Sequence, residues 1–188
     1  VDLQIVEEGR EALESYCSIP MAYTTASRLR PEDLLAGRWV ELEMRPRFKD
    51  YDADPEERMS AMPSRFDLTN WTVLTALLVG KRVGGAIVVM DTAGFDMLEG
   101  RQDLAVLADI RIHPEWQGQG IGRALVQRAV SWSKDRGCKE LKVETQDINV
   151  VACRFYWAVG FRLAEVHPNA YPPHLDEVQL IWRMPLTG

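Results

Sequence analysis

Between His113 and Val126 the chain reads HPEWQGQGIGRALV, with glycines at 118, 120 and 122 and a helical pattern directly behind them. Glycine at that density costs backbone entropy and packs nothing, so the bare backbone needs a reason. Residues Leu104 to Ile112 before it form a β-rich run that Pro114 stops. After it, Ile121, Leu125, Ala129 and Trp132 recur at turn spacing, and Gly137 closes the stretch. The glycines therefore join a strand to a helix N-terminus. Unpaired N–H groups and the positive end of the helix dipole attract an anion there. With no Cβ in the way, phosphate oxygens reach the backbone, and a diphosphate suits the space. A dinucleotide G-x-G-x-x-G would need glycine at 123 or 125, where Arg123 and Leu125 stand, and no G-K-[ST] P-loop is present. A flexible turn that is merely glycine-rich is the plain alternative.

The pattern on either side predicts a mixed α/β (α+β) fold in one domain spanning 1–188. Leu3 to Val6 reads as a short strand, Gly9 to Tyr16 as a helix and Trp39 to Met44 as a half-buried strand. Ser18 to Leu34 is mixed, with Pro20 and Pro31 as breakers. The stretch from Arg47 to Asp67 reads as a charged loop with a short helix near Pro55 to Met62. Trp71 to Val79 and Val83 to Asp91 form a hairpin about Gly80-Lys81-Arg82. Glu140 to Thr145 is a strand. Asn149 to Val159 is a helix capped by Asn149 and Gly160, and Phe161 to Val166 and Glu177 to Met184 are closing strands. The expected sheet is mostly antiparallel, of about six to seven strands with helices on its faces.

Composition narrows the partners. A net charge of -6 makes nucleic acid an unsuitable partner and suits a cationic small molecule. Three cysteines, Cys17, Cys138 and Cys153, show no metal-like spacing with the histidines, so no metal is expected and the thiols read as reduced and cytoplasmic. The longest apolar run, Ala86 to Met90, is too short to cross a bilayer, and no membrane partner is expected. A homodimer stays open.

A second constellation stands about thirty residues after the first, ETQDINVVACRFYWAVGF from Glu144 to Phe161. The pair Gln117-x-x-Gly120-x-Gly122 and Asn149-x-x-Ala152-x-x-Phe155-Tyr156-x-x-x-Gly160-Phe161, each after a strand, resembles the GCN5-related N-acetyltransferase (GNAT) superfamily over residues 83–184. The E-T-Q-D-I-N run and the closing strand further resemble the streptothricin acetyltransferases, which acetylate the β-lysine amine of a cationic antibiotic.

The resemblance implies acetyl-CoA as donor. Its diphosphate would lie on the backbone of Gly118, Gln119, Gly120, Ile121, Gly122 and Arg123, with side chains of Gln117 and Arg123 adding contacts. Its arm would pair like a strand with the main chain of Ile110, Arg111 and Ile112, in a splay between the strand ending at Ile112 and the strand at Glu140 to Thr145. Asn149 and Phe155 would contact the arm as well, although Asn149 is also a plain helix cap.

Transfer to an amine needs a proton acceptor for the ammonium, a donor for the oxyanion and a proton for the leaving thiolate. Tyr156 is the candidate acid, with a phenol of pKa about 10 that keeps its proton at neutral pH. A backbone N–H near Ile110 suits the oxyanion. Glu144 and Asp109 are the candidate bases, or they bind the ammonium without proton transfer. Asp147 and Tyr171 are expected on the acceptor side. The acidic run from Asp50 to Glu57 reads as a solvated loop. The acceptor itself stays open between an antibiotic amine and a peptide amine, and a non-catalytic acyl-CoA-binding module is the third reading.

Overall fold

The computed structural model describes residues 2–186. It comprises nine strands, β1 (Leu3–Glu8), β2 (Ala22–Leu29), β3 (Glu41–Asp50), β4 (Trp71–Leu78), β5 (Lys81–Met90), β6 (Leu104–Ile112), β7 (Glu140–Gln146), β8 (Arg162–His167) and β9 (Gln179–Pro185) among those residues. Four α-helices accompany them: α1 (Leu13–Cys17), α2 (Pro31–Leu35), α3 (Ile121–Asp135) and α4 (Val150–Val159). The chain forms two compact units. The first holds residues 2–21, 51–141 and 185–186, and the second holds 22–50 and 142–184.

In the first unit the strands lie in the order β1-β4-β5-β6. Each neighbouring pair is antiparallel. β4 and β5 are joined by Val79-Gly80, not by the Gly80-Lys81-Arg82 loop expected, and both turn residues have positive φ, 50° and 74°. That is the two-residue geometry whose twist matches the flanking strands. β6 carries a bulge at Ala108, because Ile87 faces Asp109 while Val88 already faces Leu107. α3 packs on β4, β5 and β6 through Leu125, Val126, Ala129 and Trp132. The core continues through Leu13, Tyr16, Ile87, Leu104 and Val106. Gly84 and Gly85 make close approach possible. A Cβ at Gly85 would fall 2.8 Å from the Tyr16 ring, and one at Gly84 would fall 2.9 Å from the Arg111 carbonyl.

The second unit contains β8 and most of β7 and β9, in the order β7-β9-β8 with β8 and β9 antiparallel, and the separate antiparallel pair β2–β3. The strands β1, β4, β5 and β6 together with β7, β9 and β8 number seven, within the expected range, and the fold class is the expected mixed α/β. β2 runs where the sequence reads as a mixed segment, and β3 extends to Asp50, into the expected loop. The β2–β3 register breaks between Thr25 and Ser27, opposite Pro46, which has no N–H to give the ladder. Pro31 starts α2 instead of breaking a helix, because an N1 proline lacks only a donor that would be orphaned there. The apolar centre of this unit is aromatic: Trp182 is fully buried, stacks 6.5 Å from Trp39, and donates from Nε1 to Thr145 Oγ1 at 2.8 Å.

Candidate active site

The glycine segment behaves as its composition dictates. Gly118 and Gly120 have φ of 75° and 82°, and a Cβ at either would meet nothing within 4 Å. Gly120 is the N-cap of α3, no side chain caps that end, and its first turn holds no acidic residue. The N-terminus of a 15-residue helix thus opens without a side-chain cap from its N-cap residue, beneath an open, Cβ-free surface. This is the cradle a diphosphate needs. Ile121 is buried and anchors the turn, while Gln117, Gln119 and Arg123 are exposed. The Gln117 amide is turned back on the strand, donating to the Ile112 carbonyl at 3.3 Å, so its side chain shapes the loop. Trp116 leaves its buried indole N–H without a partner.

The strand leading into the loop carries a buried ionic cluster. Arg111, whose side chain is 2% exposed, donates from Nε to Asp109 at 2.8 Å and from Nη1 and Nη2 to Asp52 at 2.7 and 2.9 Å. Nη1 also reaches the Ile19 carbonyl at 3.0 Å, and the guanidinium lies 5.1 Å from the Tyr16 ring centre. Burial pushes the Asp109 carboxyl above its ordinary pKa, while the charge of Arg111 pulls it down. Burial, reinforced by the Asp109 charge, pushes the Tyr16 phenol well up, and its hydroxyl meets no partner at hydrogen-bonding geometry. Asp109 is therefore half of an ion pair with no open face for an acceptor amine. The Arg111 side chain is likewise committed, which leaves its main chain alone for a cofactor. Asp52 leaves the expected solvated run and becomes a half-buried anchor for Arg111. Nothing in the charged stretch D-Y-D-A-D marked which carboxylate would turn inward.

In the second unit, Glu144 and Gln146 share a face of β7, two residues apart. Tyr171, between β8 and β9, donates its hydroxyl proton to Glu144 Oε1 and accepts from Gln146 Nε2 at 3.1 Å. Two of the expected acceptor-side residues are thus brought together. Among the described residues Tyr171 is the hydrogen-bond partner of the Glu144 carboxylate.

Asp147 is not available to an acceptor. Its side chain is fully buried, Arg28 Nε donates to Oδ2 at 2.7 Å, and the Val178 N–H donates to Oδ1 at 2.8 Å. Its carbonyl also accepts from the Leu29 N–H at 2.9 Å. The expectation of an ammonium contact at Asp147 gives way to a structural staple between β2 and the end of the Tyr171 loop.

Asn149 caps α4 as its sequence position implies, Oδ1 accepting from the Ala152 N–H at 3.1 Å. Tyr156 lies on the buried face of α4, its ring 5.3 Å from Phe155 and 5.5 Å from Phe161. The sequence reading missed the basic residues of β2 and β3, namely Arg28, Arg47 and Lys49, which hold Asp147, Asp176 and Glu177. Arg47 and Lys49 alternate along β3, and that period of two was the available signal. No group of three or more His, Cys, Asp or Glu among the described residues is arranged to hold a metal ion. No helix among them is long and apolar enough to cross a membrane.

Residues 36–161 match the sequence model of the acetyltransferase (GNAT) family. The chain belongs to that family. Among its GNAT relatives, streptothricin acetyltransferase A of Bacillus subtilis (strain 168) is 34% identical over 80 residues, covering 42% of this chain and 46% of that one. Aminoglycoside N(6')-acetyltransferase type 1 of Stenotrophomonas maltophilia is 31% identical over 143 residues, covering 75% of this chain and 88% of that one. The match to the Bacillus subtilis enzyme thus spans about half of that relative's length. A crystal structure of nourseothricin acetyltransferase shares the fold over 100% of both chains, with a TM-score of 0.73 at 20% identity. A structure from Bacillus anthracis str. Ames in complex with acetyl coenzyme A covers 98% of this GNAT chain at a TM-score of 0.77 and 22% identity. At such identities the likeness is one of fold.

Proposed function

We propose that the chain transfers an acetyl group from acetyl-CoA to a primary amine of a small cationic acceptor, in the first place the β-lysine amine of a streptothricin-type antibiotic. The observation that carries the donor is the N-terminus of α3, with no side-chain cap and no nearby Cβ over Gly118 and Gly120. The chain's residues fit the group. The backbone N–H groups of residues 118–123 take the diphosphate, Arg123 supplies positive charge beside it, and the main chain of Ile110 and Ile112 pairs with the amides of the arm. When bound, acetyl-CoA supplies the thioester that a neutral amine attacks.

The remaining roles fall to side chains. An alkyl ammonium has a pKa of about 10.4 and must lose a proton before it reacts. Glu144 receives that proton on its carboxylate, because Asp109 is committed to Arg111 and Asp147 to Arg28 and Val178. Tyr156 holds the proton for the departing thiolate on its phenol oxygen. The backbone N–H near Ile110 faces the developing negative charge.

The acceptor reading rests on the E-T-Q-D-I-N run and on the name of the Bacillus subtilis relative. A second acceptor, an aminoglycoside amine, is favoured by the longer match to the Stenotrophomonas maltophilia enzyme. Thiol release from acetyl-CoA with streptothricin, kanamycin, free lysine and an alanine-initiated peptide separates these acceptors. Streptothricin should give the highest kcat/KM, and faster turnover of the peptide would overturn the small-molecule reading. In the same assay Tyr156→Phe should lower kcat on the order of 10²-fold, the usual scale for a general acid. The Kd for acetyl-CoA should not move, and an unaltered kcat would remove Tyr156 from the acid role.

A further inference from the structure

The loop that carries Tyr171 is fastened with unusual care. At its end, Arg28 on β2 donates to Asp176 Oδ2 at 2.9 Å, and Arg47 on β3 donates to the Leu175 carbonyl. The Glu177 side chain, 2% exposed, faces both Arg47 and Lys49. The Val178 N–H is held by Asp147 Oδ1 at 2.8 Å, and the Asp147 N–H is held by the Val178 carbonyl at 3.0 Å. Every residue from Leu175 to Val178 is thereby tied to β2, to β3 or to the residue that follows β7. Buried or half-buried charges grouped in this way are costly unless each finds a partner, and here each does.

The anchoring has a consequence at the start of the loop. The Tyr171 hydroxyl has one proton to give and accepts the Gln146 amide hydrogen at 3.1 Å. With that lone pair used, the proton is directed to Glu144 Oε1. A donor on one oxygen of a carboxylate fixes its plane and leaves the second oxygen to meet a proton. An unsupported glutamate has three rotatable bonds and loses that orientation to rotamer freedom.

We propose that Tyr171 is a positioning residue for the acceptor step. It holds Glu144 by Oε1 so that Oε2 receives the ammonium proton, and the β2–β3 pair serves the reaction by immobilising the loop that carries Tyr171. The inference rests on the reading of Glu144 as proton acceptor given above. It assigns a role to the strands β2 and β3, for which the sequence supplied no motif.

The test is a double-mutant cycle on Tyr171→Phe and Glu144→Gln. The acceptor is whichever of streptothricin, kanamycin, free lysine and spermidine the parent chain turns over fastest. Tyr171→Phe keeps the ring and removes the hydroxyl. It should lower kcat about tenfold, the scale of one charge-assisted hydrogen bond. The KM and Kd for acetyl-CoA should stay at the parent values, a split that general loosening of the fold would not give. The double variant should be no slower than Glu144→Gln alone, because Tyr171 acts through that carboxylate. A Tyr171→Phe variant at parent kcat beside an impaired Glu144→Gln overturns this inference and leaves the base assignment standing. A double variant slower than Glu144→Gln by the full Tyr171→Phe factor does the same. A Glu144→Gln variant at parent kcat overturns the base assignment, and this inference with it. Should Tyr171→Phe fail to fold, Gln146→Leu removes the group that directs the hydroxyl and enters the same cycle with the same expected non-additivity.

Discussion

Replacing Arg111 with alanine should cost about 3–5 kcal/mol of stability, the range for breaking a buried ion pair from one side. For a chain of this length each kcal/mol moves Tm by about 2–4 °C, so calorimetry should register a fall of roughly 6–20 °C. The size follows from what is left behind. Asp109 is buried and Asp52 nearly so, and the guanidinium satisfies both carboxylates and the Ile19 carbonyl at once. Without it, two negative groups face each other on the core side of β6. Arg111→Lys should recover part of the loss, since an ammonium keeps the charge but cannot make the forked contact to Asp52.

The pH dependence has a definite sign. Burial already raises the Asp109 carboxyl above its unfolded value, and Arg111 is the main group that opposes the rise. In the alanine variant that opposition is gone. A folded pKa above the unfolded one gives stability that is present at low pH and lost as pH rises through the folded value. The gap between variant and parent should therefore narrow as the pH falls toward the ordinary carboxylate range. A loss below about 1 kcal/mol, the scale of a surface pair, would show that the cluster is solvated.

Glu144→Gln should lower kcat/KM for the acceptor amine on the order of 10²- to 10³-fold at neutral pH, within the range for removing a general base. The substitution keeps size and one acceptor oxygen, and replaces the charged second oxygen, the place for a proton, with an amide NH2. The Tyr171 hydroxyl can still donate to the amide oxygen, so the loop should hold and Tm should change little. The deficit should shrink above pH 9, because a growing share of an amine of pKa about 10.4 then arrives without its proton. A deficit independent of pH would make Glu144 a binding residue, and no deficit would exclude it from the reaction.

The parts of the molecule that the sequence made legible are those where burial on one face imposes a period. β6 runs from Leu104 to Ile112 as its β-rich pattern requires, and α3 and α4 lie between the glycine and asparagine signals that bound them. β2 escaped because it alternates only between exposed and half-buried positions until Leu29, which is buried at its end. β3 was legible only where it overlaps the expected Trp39 to Met44 strand, its later residues being exposed or half-buried with no apolar period. R-P-R-F-K-D reads as loop, yet its arginine and lysine point to one face and find carboxylates in the Leu175–Val178 segment.

The proposed site divides along the same line. The donor side is backbone and glycine, which sequence spacing records directly. The acceptor side is long-range charge pairing, which it does not. Arg28 and Asp147 are 119 positions apart, and neither residue's surroundings in the chain announce the other. For the same reason Asp109, Glu144 and Asp147 look equivalent as carboxylates in the sequence, and only their partners separate them.

The account stands most directly on the helix end at Gly120. Calorimetric titration of acetyl-CoA into the parent chain and into Gly120→Asp tests it. The positive φ of 82° strains any L side chain here, aspartate less than most, and the change sets a negative charge where the diphosphate would lie. Saturable binding by the parent, weakened at least about tenfold in Gly120→Asp, equivalent to about 1.4 kcal/mol, is the predicted result. No association with the parent, or equal affinity in the two proteins, would contradict it.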